Sequence, residues 1–324
     1  MRLIKRLWFP ALVVGTLVWL YFSRDTLAAE VPAKPGWPWW VWPTILFLFT
    51  FTIGIISPMS GVGGGVLFVP LSTAFFPFSV DFIRGAGLIM AVTSAYSSVP
   101  SFARTGLANI RLMAAVGWVV MVSSIIGGFV GLWVSNAFPN GKWYIIFALG
   151  LILLAVFIIM ITSKRVEYPE VKEQDGISKA LGLKGSWFEP TLGRVVEYKI
   201  TRFTLSLFLF AGVGFIAGMF GLGAGWANVP VLNLVMGCPI KVAVATSMAI
   251  IMVNAAAIWV YMAKGATLPL IVVPAVLGIT IGARVGAWLT VRVKPAFIKY
   301  LVLGIMLLAA ILNVIKALKG LHVI

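Results

Sequence analysis

Cysteine and histidine are almost missing from this chain: Cys238 and His322 are the only ones. A lone thiol forms no intramolecular disulfide, and one histidine near the C-terminal end supplies neither a zinc site nor a thiol–histidine pair. Carboxylates are scarce as well, nine among 324 residues. HExxH, GxSxG and GxxxxGK[ST] sequences are absent, so nothing points to an enzyme, and no metal or cofactor is called for. Charged residues make up 10% of the chain and hydrophobic residues 61%, where soluble domains carry about a quarter charged. The composition is that of an integral membrane protein. A net charge of +16 raises the question of nucleic acid, but the basic residues punctuate the apolar runs and do not gather with aromatics on one face. Nucleic acid is not an expected partner; the lipid bilayer is.

The apolar runs are organised in two sets. Residues 1–43 form an N-terminal segment in which Arg2, Lys5 and Arg6 precede the apolar stretch 7–22, either a retained anchor or a cleaved signal, with the anchor preferred because Arg24 and Asp25 intrude. Trp37, Trp39, Trp40 and Trp42 then read as an interfacial belt. A first membrane repeat, 44–162, holds apolar segments at about 44–57, 61–76, 85–103, 111–136 and 143–162; a second, 203–324, holds them at about 203–219, 222–237, 242–262, 267–290 and 296–318. Residues 163–202 between them are a charged, solvated connector, with 177–188 either an ordinary linker or a surface helix.

The first two segments of each repeat are too long for one span of ~20 residues and short for two. If each pair is a hairpin returning to its starting side, basic residues divide 17 cytosolic to 7 external; if each pair crosses once, they divide 9 to 15. The positive-inside rule favours hairpins. Three further spans then follow each hairpin, so the two repeats are inverted relative to each other. The expected fold is an all-α polytopic membrane protein of two inverted repeats, with an extra N-terminal hydrophobic segment.

Each repeat opens on the same glycine-rich stretch, SPMSGVGGGVLFVP at 57–70 and AGMFGLGAGWANVP at 217–230. At a spacing of 160 they share Gly61/Gly221, Gly63/Gly223, Gly65/Gly225 and Pro70/Pro230, and Gly64 lies within the first. Non-helical backbone is tolerated in hydrocarbon only where protein covers it or it lines a cavity. Turned N–H groups and a helix start at each break suit an anion. Small residues also serve plain helix packing; the duplication favours a ligand site.

None of the nine acidic residues falls inside an expected span, which argues against a metal-cation transporter. Arg284 does fall inside one, within GARVG, and is either a candidate anion contact or snorkels to the cytosolic end about two turns away. Arg84 either pairs with Asp81 or serves function, and Arg104 and Arg111 read as cytosolic topology markers. Thr93, Ser94, Ser97 and Ser98 in the first repeat, and Thr246, Ser247 and Asn254 in the second, either line a polar pathway or bond back to their own helices. Asn228 and Asn233 are lesser candidates, and Cys238 reads as packing.

The duplicated glycine stretch ending in Val-Pro, together with RTGLANIRL at 104–112, AVATSMAIIMVN at 243–254 and the pair GGFVG and GARVG at 127–131 and 282–286, resembles the TauE/SafE sulfite exporters, also called the 4-toluene sulfonate uptake permeases. The resemblance covers about 44–162 and 203–318. It implies a multi-pass permease of the bacterial inner membrane for a small sulfur-containing oxyanion such as sulfite or an organosulfonate, working by alternating access; homo-oligomerisation stays open. Alternatives are an anion channel, or an assembly or sensing subunit that binds a partner through the connector and moves no solute.

Overall fold

The computed structural model describes residues 40–162, 169, 171, 173–189, 193–290 and 295–322. The expected N-terminal anchor, with Trp37 and Trp39, lies outside these residues. Helix α1 (Val41–Ser60) leads into the first glycine stretch, followed by α2 (Gly64–Phe75), α3 (Val80–Arg104), α4 (Ile110–Ala137) and α5 (Gly141–Thr162). After the connector, α7 (Phe203–Phe220) leads into the second stretch. There α8 (Gly225–Pro230) passes into a π-helical turn at Val231–Val235, and α9 (Ile240–Val253), α10 (Ala256–Ala263), α11 (Pro269–Thr290) and α12 (Pro295–Gly320) complete the chain.

Among the described residues α1, α3, α4, α5, α7 and α11 are long and apolar enough to cross a membrane, and α9 with α10, bent by 41°, makes a seventh such unit. A ~30 Å hydrocarbon core needs about 20 helical residues, which these meet. Large apolar side chains stand on the outside, among them Phe208 at 74% exposure and Trp259 at 70%. In water such a surface would aggregate; against lipid tails it is matched. This is an all-α polytopic membrane protein.

Both glycine stretches are hairpin tips. Trp42, at the start of α1, packs edge-on against Phe76 and Phe78, just past the end of α2, with ring centroids 5.9 and 5.5 Å away. Thr201, just before α7, donates its amide to the Met236 carbonyl just past the π turn at 3.1 Å. Each α1–α2 and α7–α8 pair therefore returns to the end from which it started, the arrangement the charge count favours.

The longest helix contacts join elements from opposite sides of the connector: α1 lies along α11, and α4 along α7. Small residues let the backbones meet. A Cβ built on Gly54 would stand 2.8 Å from the Ile279 carbonyl oxygen, and one on Gly214 would stand 2.6 Å from that of Val120. The matching of GGFVG with GARVG slips in register. Gly127 faces the Phe215 carbonyl and Gly286 that of Ile55, and Ile55 and Phe215 are themselves 160 apart. Gly127 thus corresponds to Gly286, not Gly282. Small residues one helical turn apart keep the same face, so the sequence pattern tolerates a slip of four.

The connector is more ordered than a linker, and its 177–188 stretch is not one surface helix. A short helix α6 (Gly176–Ala180) precedes strands β1 (Lys184–Glu189) and β2 (Arg194–Lys199), which pair antiparallel with Lys184 opposite Lys199 and Glu189 opposite Arg194. Alternation buries Trp187 and Tyr198 on one face and exposes Phe188 and Val195 on the other. Asp175 caps α6, its carboxylate accepting from the Ser178 amide and hydroxyl at 3.2 and 2.6 Å. The hairpin docks on the membrane helices through two polar ties. Lys241 at the start of α9 donates to the fully buried Glu189 at 2.7 Å. Asn109, the N-cap of α4, donates its side-chain amide to the Tyr198 hydroxyl at 2.9 Å.

Candidate functional site

The two glycine breaks touch. Helices α1 and α7 each end on a glycine in the left-handed region, Gly61 and Gly221, both at φ 70°, where a side chain would be strained. Beyond them the chains meet reciprocally. A Cβ on Gly65 would lie 2.7 Å from the Leu222 carbonyl oxygen, and one on Gly225 would overlap the Val62 carbonyl; Val62 and Leu222 are again 160 apart. The neighbours exchange in the same way. Gly61 rests on Val244 where Gly221 rests on Arg84, and Gly63 faces Ile251 where Gly223 faces Ala91. Every residue from Gly61 to Pro70 and from Gly221 to Trp226 is buried, so the irregular backbone is covered by protein.

The helices leaving the breaks differ. Gly64 opens α2, which continues through the buried Pro70 for 12 residues. Gly225 opens α8, which has only six before Pro230 and the π turn. A dipole at the second break is correspondingly short.

The candidate hydroxyls divide between packing and the breaks. Ser247 donates to the Gly61 carbonyl at 2.7 Å and so closes the first tip. Ser94 and Ser57 share a hydrogen bond of 2.9 Å between α3 and α1, and Ser98 bonds back to the Ser94 carbonyl at 2.8 Å. Thr246 accepts the Asn109 amide at 3.0 Å, which links α9 to the α3–α4 loop. Thr93 and Ser97 are half-buried on α3. Asn233 donates to the Cys238 carbonyl at 2.8 Å, and Cys238 is buried. Asn254 sits at the bend between α9 and α10, where its carbonyl oxygen accepts from Ser124.

Arg284 is not brought to the breaks: its side chain is exposed on α11, while the neighbouring Gly282 and Gly286 face α1. A corresponding correction concerns Asp81. Helix α3 starts at Val80, five residues earlier than its apolar run, so this carboxylate lies in the first turn and is buried. It is tolerated there because Arg84 donates to it at 2.8 Å and Ser135 donates to both its oxygens at 2.8 and 3.0 Å. Arg84, fully buried, also donates to Tyr261 at 3.0 Å and to the Met219 carbonyl, two residues before Gly221.

Four buried side-chain N–H groups at or near the second break have no partner, Trp226 Nε1, Asn228 Nδ2, Asn254 Nδ2 and Arg84 Nε, and the acceptor Asn228 Oδ1 has none either. An unmade buried hydrogen bond costs about 1–3 kcal/mol, so donors held this way suit an acceptor-rich guest. Trp226 was not a candidate from sequence. The available signal was its partner at the 160 spacing, Val66, since an indole had replaced a valine in an apolar turn.

A bundle of apolar helices enclosing two touching backbone breaks and unpartnered buried donors is that of a multi-pass membrane protein with a covered polar site. The comparisons agree: the family described as Sulfite exporter TauE/SafE matches residues 45–312, and the chain belongs to that family. It is similar to the probable membrane transporter protein YunE of Bacillus subtilis, 26% identical over 217 residues, 65% of this chain and 74% of the relative. It is also similar to the probable membrane transporter protein MJ0441 of Methanocaldococcus jannaschii, 26% identical over 214 residues, 64% of this chain and 67% of the relative. No solved structure matches it.

Proposed function

We propose that the protein carries a small sulfur-containing oxyanion, sulfite or an organosulfonate, out across the bacterial inner membrane, by alternating access between two inverted repeats. The observation that carries this reading is the trio of buried, unpartnered donors, Trp226, Asn228 and Asn254, at and near the second break. An oxyanion offers acceptors, and three of the four unmet polar atoms on these side chains are donors, the exception being Asn228 Oδ1. The reciprocal contacts of Gly65 with Leu222 and Gly225 with Val62 support the inverted-repeat part of the proposal, because they exchange under the 160 spacing. A guest held between the breaks would be reached from either side by rocking one repeat against the other.

The face carrying the connector is proposed as cytosolic, in keeping with the basic residues there, including Arg104, Arg111, Lys199, Arg202 and Lys241. Export is the proposed direction because an inside-negative potential favours anion exit by about 2.3 kcal/mol per charge per 100 mV.

The test uses proteoliposomes loaded with sulfite or an organosulfonate. Gly223, at φ 72° with Ala91 Cβ 2.7 Å from any added Cβ, is replaced by Val, and separately Trp226 by Phe. Saturable efflux that falls sharply in both variants at equal protein content supports the reading. Unchanged efflux in both defeats it, and efflux that never saturates favours a channel.

A further inference from the structure

We propose that Arg84 is the cation that grips the transported oxyanion, and that Asp81 is a built-in competitor which occupies that grip until the anion arrives. The inference rests on the anion-transport reading above. Among the described residues Arg84 is the only wholly buried arginine, and its backbone lies against Gly221 while its guanidinium reaches Gly131 and the Met219 carbonyl. It therefore stands on the second break itself. Its Nε has no partner, and a guanidinium has five N–H donors in a planar fork that fits an oxyanion side-on.

Asp81 fills part of that fork and also faces open space. It lines a cavity of about 980 Å³ at the end of the bundle opposite the connector, together with Ser79, Trp133, Asn136, Lys142 and Lys264. Both lysines are exposed. In this proposal the cavity, which Lys142 and Lys264 also line, is the second resting place of the carboxylate. Exchange leaves the buried charge unchanged: a monoanion takes the place of the carboxylate on Arg84, and the carboxylate moves to the lysines. Without such a swap, an anion entering beside an already neutral ion pair would be an uncompensated buried charge, which is costly. The equivalent position at the 160 spacing is Val244, so the grip exists at one end only.

The experiment measures the KM for sulfite in proteoliposomes. Asp81→Asn keeps the shape and removes the competing charge; it should lower KM about tenfold, equivalent to about 1.4 kcal/mol. Ser135→Ala, which loosens both carboxylate oxygens, should lower it less, and serves if Asp81→Asn folds poorly. Arg84→Gln should raise KM at least tenfold, Arg84→Lys less, and the Asp81→Asn/Arg84→Gln double variant should follow Arg84→Gln. A KM unmoved or raised by both Asp81→Asn and Ser135→Ala, with flux intact, overturns this inference alone. If wild-type vesicles move no sulfite, the transport reading fails. The competitor is then decided by thermal shift of purified protein with sulfite, sulfate and chloride, where equal anion affinity in wild type and Asp81→Asn overturns it.

Discussion

Replacing Gly225 with alanine tests the central contact of the fold. The added methyl would overlap the Val62 carbonyl, and its counterpart on Gly65 would stand 2.5 Å from the Gly87 oxygen and 2.7 Å from that of Leu222. Carbon–oxygen contacts settle near 3.3–3.6 Å, so relief requires the two tips to part by roughly an ångström. The obstacles are backbone atoms, which cannot swing aside as a side chain would. Overpacking costs about 1–3 kcal/mol when side chains can yield; here the upper end, about 3 kcal/mol, is expected for each substitution. Parting the tips relieves the Val62 and Leu222 contacts but not that of a Gly65 methyl with Gly87 on α3, so Gly65→Ala/Gly225→Ala should cost less than the sum of the singles by the shared tip-to-tip strain. Gly212→Ala on α7 is the control, since nothing lies within 4 Å of its Cβ position; it should gain about 0.5–1 kcal/mol from helix propensity. The assay is unfolding in detergent followed by tryptophan fluorescence. Gly225→Ala as stable as Gly212→Ala, or a fully additive double variant, would show that the breaks do not touch.

Trp226→Phe removes an unpartnered donor, so stability should hold or rise slightly while sulfite flux falls about tenfold, a split readable from melting and efflux on the same preparation. Lys241→Ala removes the hydrogen-bonded ion pair to the fully buried Glu189 and should cost about 1–3 kcal/mol, seen as faster tryptic cleavage at Lys184 and Lys199. Tyr198→Phe leaves the Asn109 amide without its acceptor and should cost about 1–3 kcal/mol in thermal unfolding. Arg284→Gln, at an exposed position, should leave flux within about twofold of wild type, since surface substitutions usually stay within ±0.5 kcal/mol. Burial acts to raise the Asp175 carboxyl, but hydrogen bonds from Ser178 outweigh it and hold the group below its ordinary 3.8. Its cap therefore contributes fully above that value and is lost as pH falls through the lower folded value. Hydrogen exchange in 176–183 should accelerate only below about pH 4.

The parts of the fold readable from sequence were those set by periodicity and repetition. Ten apolar runs and two glycine stretches located the helices and their breaks, because hydrocarbon allows few alternatives. Hairpin return was readable only through charge, and Thr201 bonding Met236 now rests it on geometry. What failed depended on tertiary partners. Asp81 looked external because a carboxylate beside an apolar run normally stays wet, and the Ser135 that holds it comes from 54 residues away. Arg284 was open between an anion contact and snorkelling because its span is apolar, and α11 turns its glycines to α1 and the arginine outward. The connector hairpin escaped notice because its two six-residue strands have only weak alternation and gain their stability from docking.

The backbone contacts of the two breaks exchange under one spacing, but the side chains around them do not. Ser57 and Ser94 bond each other on one side, where the equivalent positions are Ala217 and Asn254. Arg84 rests on one tip, and Val244 rests on the other. α2 runs 12 residues from its break where α8 runs six. A transporter needs its two end states to be close in energy, and near-symmetric backbone packing provides that. It also needs a guest to be released on the far side, which identical contacts at both ends would not favour. Among the described residues the only buried arginine, with Asp81, stands at one end and the docked hairpin at the other, which makes the two exits chemically different while the tips stay matched. On this argument a variant that installs a cation at Val244 should trap the anion: sulfite affinity in purified Val244→Arg protein rises, turnover in vesicles falls, and equal turnover would mean that the asymmetry is incidental.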